Sequence, residues 1–191
     1  MATPRQSLSA DEGMVSSTAL ELLLAEVVPA ALRVSQELTE PEEGSKMAPF
    51  GYLVDSESHL DNVYFRVEGY GYRVGRGIAE SFSNERPHFA DTLDMMKFIC
   101  KDVWLLLYNK QVDHLKTNHR GTFVFVENQF RGCQRMSAKG GQVETMKGAT
   151  PYLWFPVGVI RGVLAALGIQ ADVTFETTQL PVVYFNIHVV Q

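Results

Sequence analysis

Sixteen consecutive residues, Tyr152 to Leu167, are almost wholly apolar, with Arg161 the one charge among them. Thr150 suits the cap of a helix here, Pro151 its first turn and Gly168 its stop. A helix apolar nearly all round cannot lie on a surface and must be central. The run is shorter than the roughly 20 residues a bilayer needs, so it reads as a core element rather than a span. The rest of the chain must therefore supply layers that enclose it, and 191 residues are enough to do so without disulfides or a structural metal.

The enclosing elements have their own signatures. A first helix is expected from Thr18, where Thr18 and Glu21 have capping-box spacing. Leu20, Leu23, Leu24, Val27, Val28, Ala31 and Leu32 follow at helical spacing, with a kink expected near Pro29. Leu60, Tyr64, Val67, Gly71, Val74, Ile78 and Phe82 recur three or four apart, which favours a second helix over the strand that Val63–Val67 suggests locally. Its glycines weaken it unless close packing compensates, so the segment is a candidate contact surface. A third helix is predicted from an Asp91 cap to Tyr108. A hairpin, 111–117 and 122–128, turns at Asn118-His119-Arg120-Gly121. Residues 131–148 read as a loop, and two alternating strands close the chain around Val173–Phe175 and Val183–Val189. The order α–α–α–β–β–α–β–β defines an α+β domain with helices on one side of an antiparallel sheet.

Charge is unevenly spread. Residues 1–62 hold eleven acids and three bases, whereas 63–191 hold fourteen bases and eleven acids. The acidic excess concentrates in the tail, 1–15, and in an insert at about 39–58 containing Glu40, Glu42 and Glu43; both are expected to be mobile around a single domain, 16–191. A net charge of −5 argues against nucleic acid as a partner. Two cysteines, Cys100 and Cys133, exclude a disulfide scaffold and fit a reducing compartment, with Cys100 expected inside and Cys133 outside. With no secretory signal at the N-terminus, the expectation is a cytoplasmic protein.

Catalytic motifs are sparse. Gly71-x-x-x-Gly75-x-Gly77 resembles the phosphate loop of short-chain dehydrogenases, but no parallel βαβ unit surrounds it and no Tyr-x-x-x-Lys pair follows. Asp113, His114 and His119 cluster at the hairpin without a fourth ligand, and read as solvated turn residues rather than a metal site. Seven Lys/Arg against three acids in 110–147 form a basic patch, for which an ordinary solvated hairpin is the default and anionic lipid the alternative. No catalytic, metal or cofactor site is assigned.

Lys97–Phe130 contains KFICKDVW, then KQVDHLKTNHRGTFV, then ENQF. This stretch resembles the signature region of the subunit-six family of the transport protein particle (TRAPP). The Gly71–Gly77 segment and the VIRGVLAALGI run, Val159 to Ile169, add support, and the resemblance spans about Thr18–Gln191 apart from the insert and the loop near 132–148. It implies a non-catalytic core subunit whose helices lie on one side of a twisted four-stranded antiparallel sheet. It also implies heterodimerisation with the particle's central acylated subunit through the first two helices. The faces that map onto that interface are Leu23, Leu24, Val27 and Val28, with Tyr64, Val67, Gly71 and Val74 opposite. Other core subunits would be further partners. The assembled complex would tether vesicles and exchange nucleotide on a Rab GTPase, at the periphery of Golgi and early secretory membranes. The acylated relative carries a cysteine ahead of its third helix, where this chain has Arg86 and Pro87, so a thioester cannot form there. The alternative is a lipid- or small-molecule-binding module of the same fold.

Overall fold

The computed structural model describes residues 16–38, 57–83, 88–118 and 121–190. The acidic tail and nearly all of the insert lie outside them, as do Arg86, Pro87, His119 and Arg120. Five helical segments and four strands follow in the order α1 (Ser17–Leu38), α2 (Glu57–Ser83), α3 (Thr92–Phe98), α4 (Trp104–Tyr108), β1 (His114–Thr117), β2 (Thr122–Glu127), α5 (Gln142–Ala166), β3 (Ala171–Glu176) and β4 (Val183–Val189). The strands form one antiparallel sheet in the order β1-β2-β4-β3, as the α+β expectation requires.

Register explains the sheet's two faces. Leu115, Phe125, Phe185 and Phe175 share a row that points towards the helices. The next row, Lys116, Val124, Asn186 and Thr174, points away. Trp104 of α4 fills the centre of the inner face, with its ring edge-on to Phe125 and Phe185 at 6.1 and 5.6 Å. The α5 helix lies against β3 and carries α2 on its other side.

The α2–α5 crossing is set by glycine on both helices. A Cβ on Gly71 or Gly75 would collide with the backbone of Phe155 or Val159, and one on Gly158 or Gly162 with the backbone of Glu68 or Tyr72. The glycines expected to admit a second helix therefore admit α5 of the same chain. Gly69 and Gly77 face open space.

Several boundaries differ from the sequence reading. The α5 helix starts at Gln142, so part of the expected loop is helical. Its first turn is tied by side chains: the Gly140 N–H donates to the Glu144 carboxylate at 2.6 Å, and the Ala138 N–H to Thr145 Oγ1 at 2.9 Å. Thr150 caps nothing; its hydroxyl donates back to the Met146 carbonyl at 2.9 Å, in mid-helix. Pro151 and Pro156 are both interior and buried. An interior proline costs ~3 kcal/mol, which the enclosing core must offset. Gly168, at φ +83°, ends the helix as expected, and the Ile169 N–H returns to the Leu164 carbonyl at 2.9 Å. The third helix runs from the Asp91 cap, whose side chain accepts from the Asp94 N–H at 2.7 Å, but it widens into a π-helical turn over Ile99–Val103. In α1 the expected capping box does not form. Thr18 lies within the helix, the Glu21 carboxylate pairs with Arg135 at 3.2 Å, and the helix continues through Pro29.

Candidate interaction surface

Two lines of residues run along α1. Val28, Ala31 and Ser35 are buried, and the Arg66 guanidinium of α2 donates to Ser35 Oγ at 3.1 Å. Beside them, Leu20, Leu23, Val27, Ala30, Val34 and Leu38 recur at three- and four-residue intervals, and none is fully buried. Leu23 keeps 64% of its surface exposed, and Leu38 is similarly open. Polar residues would serve this line equally well if it met only water. Tyr152 of α5 anchors the helix from below, its hydroxyl donating to the Ala25 carbonyl at 3.3 Å.

The eight residues mapped from the sequence divide on this geometry. Val28 (3% exposed), Val67 (0%) and Gly71 are inside the chain's own core. Leu24, Val27 and Tyr64 are half-buried, while Leu23 and Val74 (39%) stand out. Tyr64 also stacks on Trp154 at 5.6 Å, and burial, helped by Asp61, pushes its phenol above the usual range. The structure does not gather the eight into one exposed patch. Sequence spacing located the helices but merged two adjacent stripes, one for α2 and one left open. It also passed over Ala30, Val34 and Leu38, although these continue the three–four spacing of Leu20, Leu23 and Val27.

The signature region has a structural role that the spacing did not reveal. Lys110 lies just beyond Asn109, which ends α4 at φ 52°. Its ammonium donates to the Glu127 carboxylate at 2.6 Å and to Asp113 at 3.2 Å, while the Asn128 N–H donates to Asp113 at 2.7 Å. Asp113 is exposed, as expected of a turn residue, and is also a fixed partner. Glu127 has a fully buried side chain. Desolvation raises its pKa, against the downward pull of the Lys110 bond; the Trp104 indole N–H also favours the charged form without completing a hydrogen bond. Asp113 is held below the usual carboxylate range: burial opposes this, but the Asn128 N–H and Lys110 outweigh it. Arg131 adds a bond from its guanidinium to the Tyr108 carbonyl at 3.0 Å. Together these contacts lock α4, β1 and the end of β2.

Cys133 overturns the expectation of an exposed thiol. It is 1% exposed, and burial pushes its pKa up to about 12. Cys100 lies inside as expected, also raised to about 12, by burial first and the Glu127 charge second. Among the described residues no group of three or more His, Cys, Asp or Glu could hold a metal ion, and no helix is long and apolar enough to cross a membrane.

A layer of helices on one face of a four-stranded antiparallel sheet is matched by known proteins. The family model described as transport protein particle (TRAPP) component matches residues 20–190. The chain belongs to this family. Human trafficking protein particle complex subunit 6B is 44% identical over 122 residues, 64% of this chain and 75% of that protein. The zebrafish (Danio rerio) subunit 6b is 39% identical over 131 residues, 69% and 82% of the two chains. Human subunit 6A is 38% identical over 121 residues, 63% and 74%. Within the family, the chain therefore falls in the subunit-six group. The fold is shared with a crystal structure of trafficking protein particle complex subunit 3 from Naegleria fowleri, covalently bound to palmitic acid, at a TM-score of 0.63 and 14% identity over 92% of this chain and 98% of that one.

Proposed function

We propose that this chain is a non-catalytic structural subunit of the TRAPP vesicle-tethering complex, docking a central acylated subunit through α1 and the adjoining face of α2. The observation that carries this reading is the apolar line Leu20–Leu23–Val27–Ala30–Val34–Leu38, which the chain's own fold covers only in part, leaving Leu23 and Leu38 exposed. Subunit-six relatives are named as parts of a complex, which supports a structural rather than a catalytic role. Through the assembled particle the chain would contribute to nucleotide exchange on a Rab GTPase and associate peripherally with Golgi and early secretory membranes.

Val67→Glu is a poor test, because Val67 lies in the core and a carboxylate buried there would unfold the chain rather than probe a contact. Leu23→Glu is the informative variant. Co-expression with the subunit-3 relative of the same organism, followed by native mass spectrometry, should give a one-to-one dimer. Leu23→Glu should abolish that dimer while leaving the circular dichroism of the chain unchanged. Normal dimer formation by Leu23→Glu and by Leu23→Glu combined with Val74→Glu would overturn the assignment.

A further inference from the structure

We propose that the flank of the domain facing away from α1, bounded by the free edge of β3, docks a basic, extended segment of another protein. On α5, Tyr152 reaches α1 whereas Trp154, two residues on and so about 200° round the helix, points to the opposite side. There Trp154 stacks on Tyr64 and meets the Phe175 ring of β3 edge-on at 5.4 Å. Phe65, Glu68 and Tyr72 share one side of α2 by their i, i+3, i+7 spacing. That side faces the same flank, because Glu68 pairs with Arg161 and the Arg161 guanidinium lies 5.8 Å from the centre of the Tyr72 ring. Arg161 in turn is two helical turns beyond Trp154 on α5. The flank thus collects five aromatic side chains, and Phe65 is 77% exposed, the most open large apolar residue among the described residues.

The surface is continuous with a sheet edge. β3 is terminal in the strand order and pairs with β4 alone among the described residues, so half of its backbone donors and acceptors face outward. Its charge identifies what fits. Asp172 and Glu176 are exposed on β3, Asp61 is exposed on α2, and none of the three forms an ion pair among the described residues; Arg161 is matched by Glu68, and Arg76, on the same side of α2, by Glu80 at 3.6 Å. Acidic side chains along an edge repel a second copy of the same edge, and for a strand carrying Lys or Arg they become the attraction. Strand addition would supply backbone hydrogen bonds, and an apolar side chain of the incoming segment would rest on Phe65 and Trp154.

The test uses the full chain in its complex with the subunit-3 relative and two fluorescein-labelled probe peptides of seven residues. One alternates lysine with valine and phenylalanine; its twin replaces every lysine by glutamate. The basic probe should bind at least tenfold more tightly than the twin in anisotropy titrations, and hydrogen exchange should slow in residues 171–176 but not in 114–117. Phe65→Ser and the double variant Asp172→Lys, Glu176→Lys should each weaken the basic probe about tenfold or more. Equal binding of the two probes, slowed exchange confined to β1, or insensitivity to both variants would overturn the proposal. Loss of the dimer in Leu23→Glu leaves this test unaffected, since that variant can be titrated as the free chain.

Discussion

Replacing Lys110 by Met, at similar length but without charge, strands Glu127 as an unpaired buried carboxylate. At 2.6 Å and an effective dielectric of about 20, the Coulomb attraction is of order 6 kcal/mol, most of it offset by desolvation of the two ions. Breaking a buried pair from one side costs about 3–5 kcal/mol. The Lys110 side chain keeps 23% of its surface in contact with water, so a figure at or just below the bottom of that range, ~2–3 kcal/mol, applies here. The folded-state pKa of Glu127 is already raised, and removing Lys110 takes away the interaction that opposed the rise. A folded pKa above the unfolded one means that the folded state binds the extra proton, so stability from this group is present at low pH and lost as pH rises through the folded value. The deficit of Lys110→Met should therefore be large at pH 7.5 and smaller at pH 5. Urea unfolding of the dilute chain reads this as a lower midpoint at unchanged m. Lys110→Met with Glu127→Gln should recover most of the loss. A deficit under about 0.5 kcal/mol at pH 7.5, a deficit that does not narrow at pH 5, or no recovery in the double variant would refute the reasoning.

Other variants probe the crossing and the thiols. Gly162→Val places a branched side chain where even a Cβ meets the Tyr72 backbone; it should destabilise by ~3 kcal/mol or more and lower Tm by several degrees, whereas Gly77→Ala, in open space, should match or exceed the parent. Cys100 and Cys133, both raised to about 12, should resist an aromatic disulfide reagent at pH 8 in the native chain, and both should react once urea unfolds it.

What could be read from the sequence followed from periodicity that packing left intact. The closing strands alternate faithfully: Val173, Val183, Phe185 and Ile187 are buried, while Asp172, Thr174 and His188 are exposed. Gly71 and Gly75 signalled a close helix approach, and the partner turned out to be Gly158 and Gly162 of α5 in the same chain. The start of α5 was hidden because Gln142, Glu144 and Thr145 have loop-like polarity, and their capping bonds to Ala138 and Gly140 run backwards into the preceding turn. Cys133 was misplaced because polar neighbours, Arg131, Gln134 and Arg135, mask a side chain that is buried. The residues of the proposed interface were only half legible. Helical spacing gives the apolar arc of α1, but which part of a wide arc meets α2 depends on the crossing angle of two helices far apart in sequence.

The exposed line of α1 also limits how a partner can be bound. Fully burying a leucine or valine contributes about 1.5–3 kcal/mol. Leu22, Leu23, Leu38 and Val74, each already partly covered, together offer on the order of 5 kcal/mol. Association costs at least ~4 kcal/mol in lost translation and rotation. Those four residues alone would therefore give a marginal complex, and a stable one must also enclose the half-buried Leu20, Val27, Ala30 and Val34. On the proposed docking, the centre of the contact would then lie along α1, between Leu20 and Val34, with Val74 nearer its rim. Leu23 lies within that centre, where a charged replacement both removes apolar contact and buries an unpaired ion. A glutamate at Val74 could remain hydrated at the rim, so Val74→Glu alone should weaken the dimer far less than Leu23→Glu does.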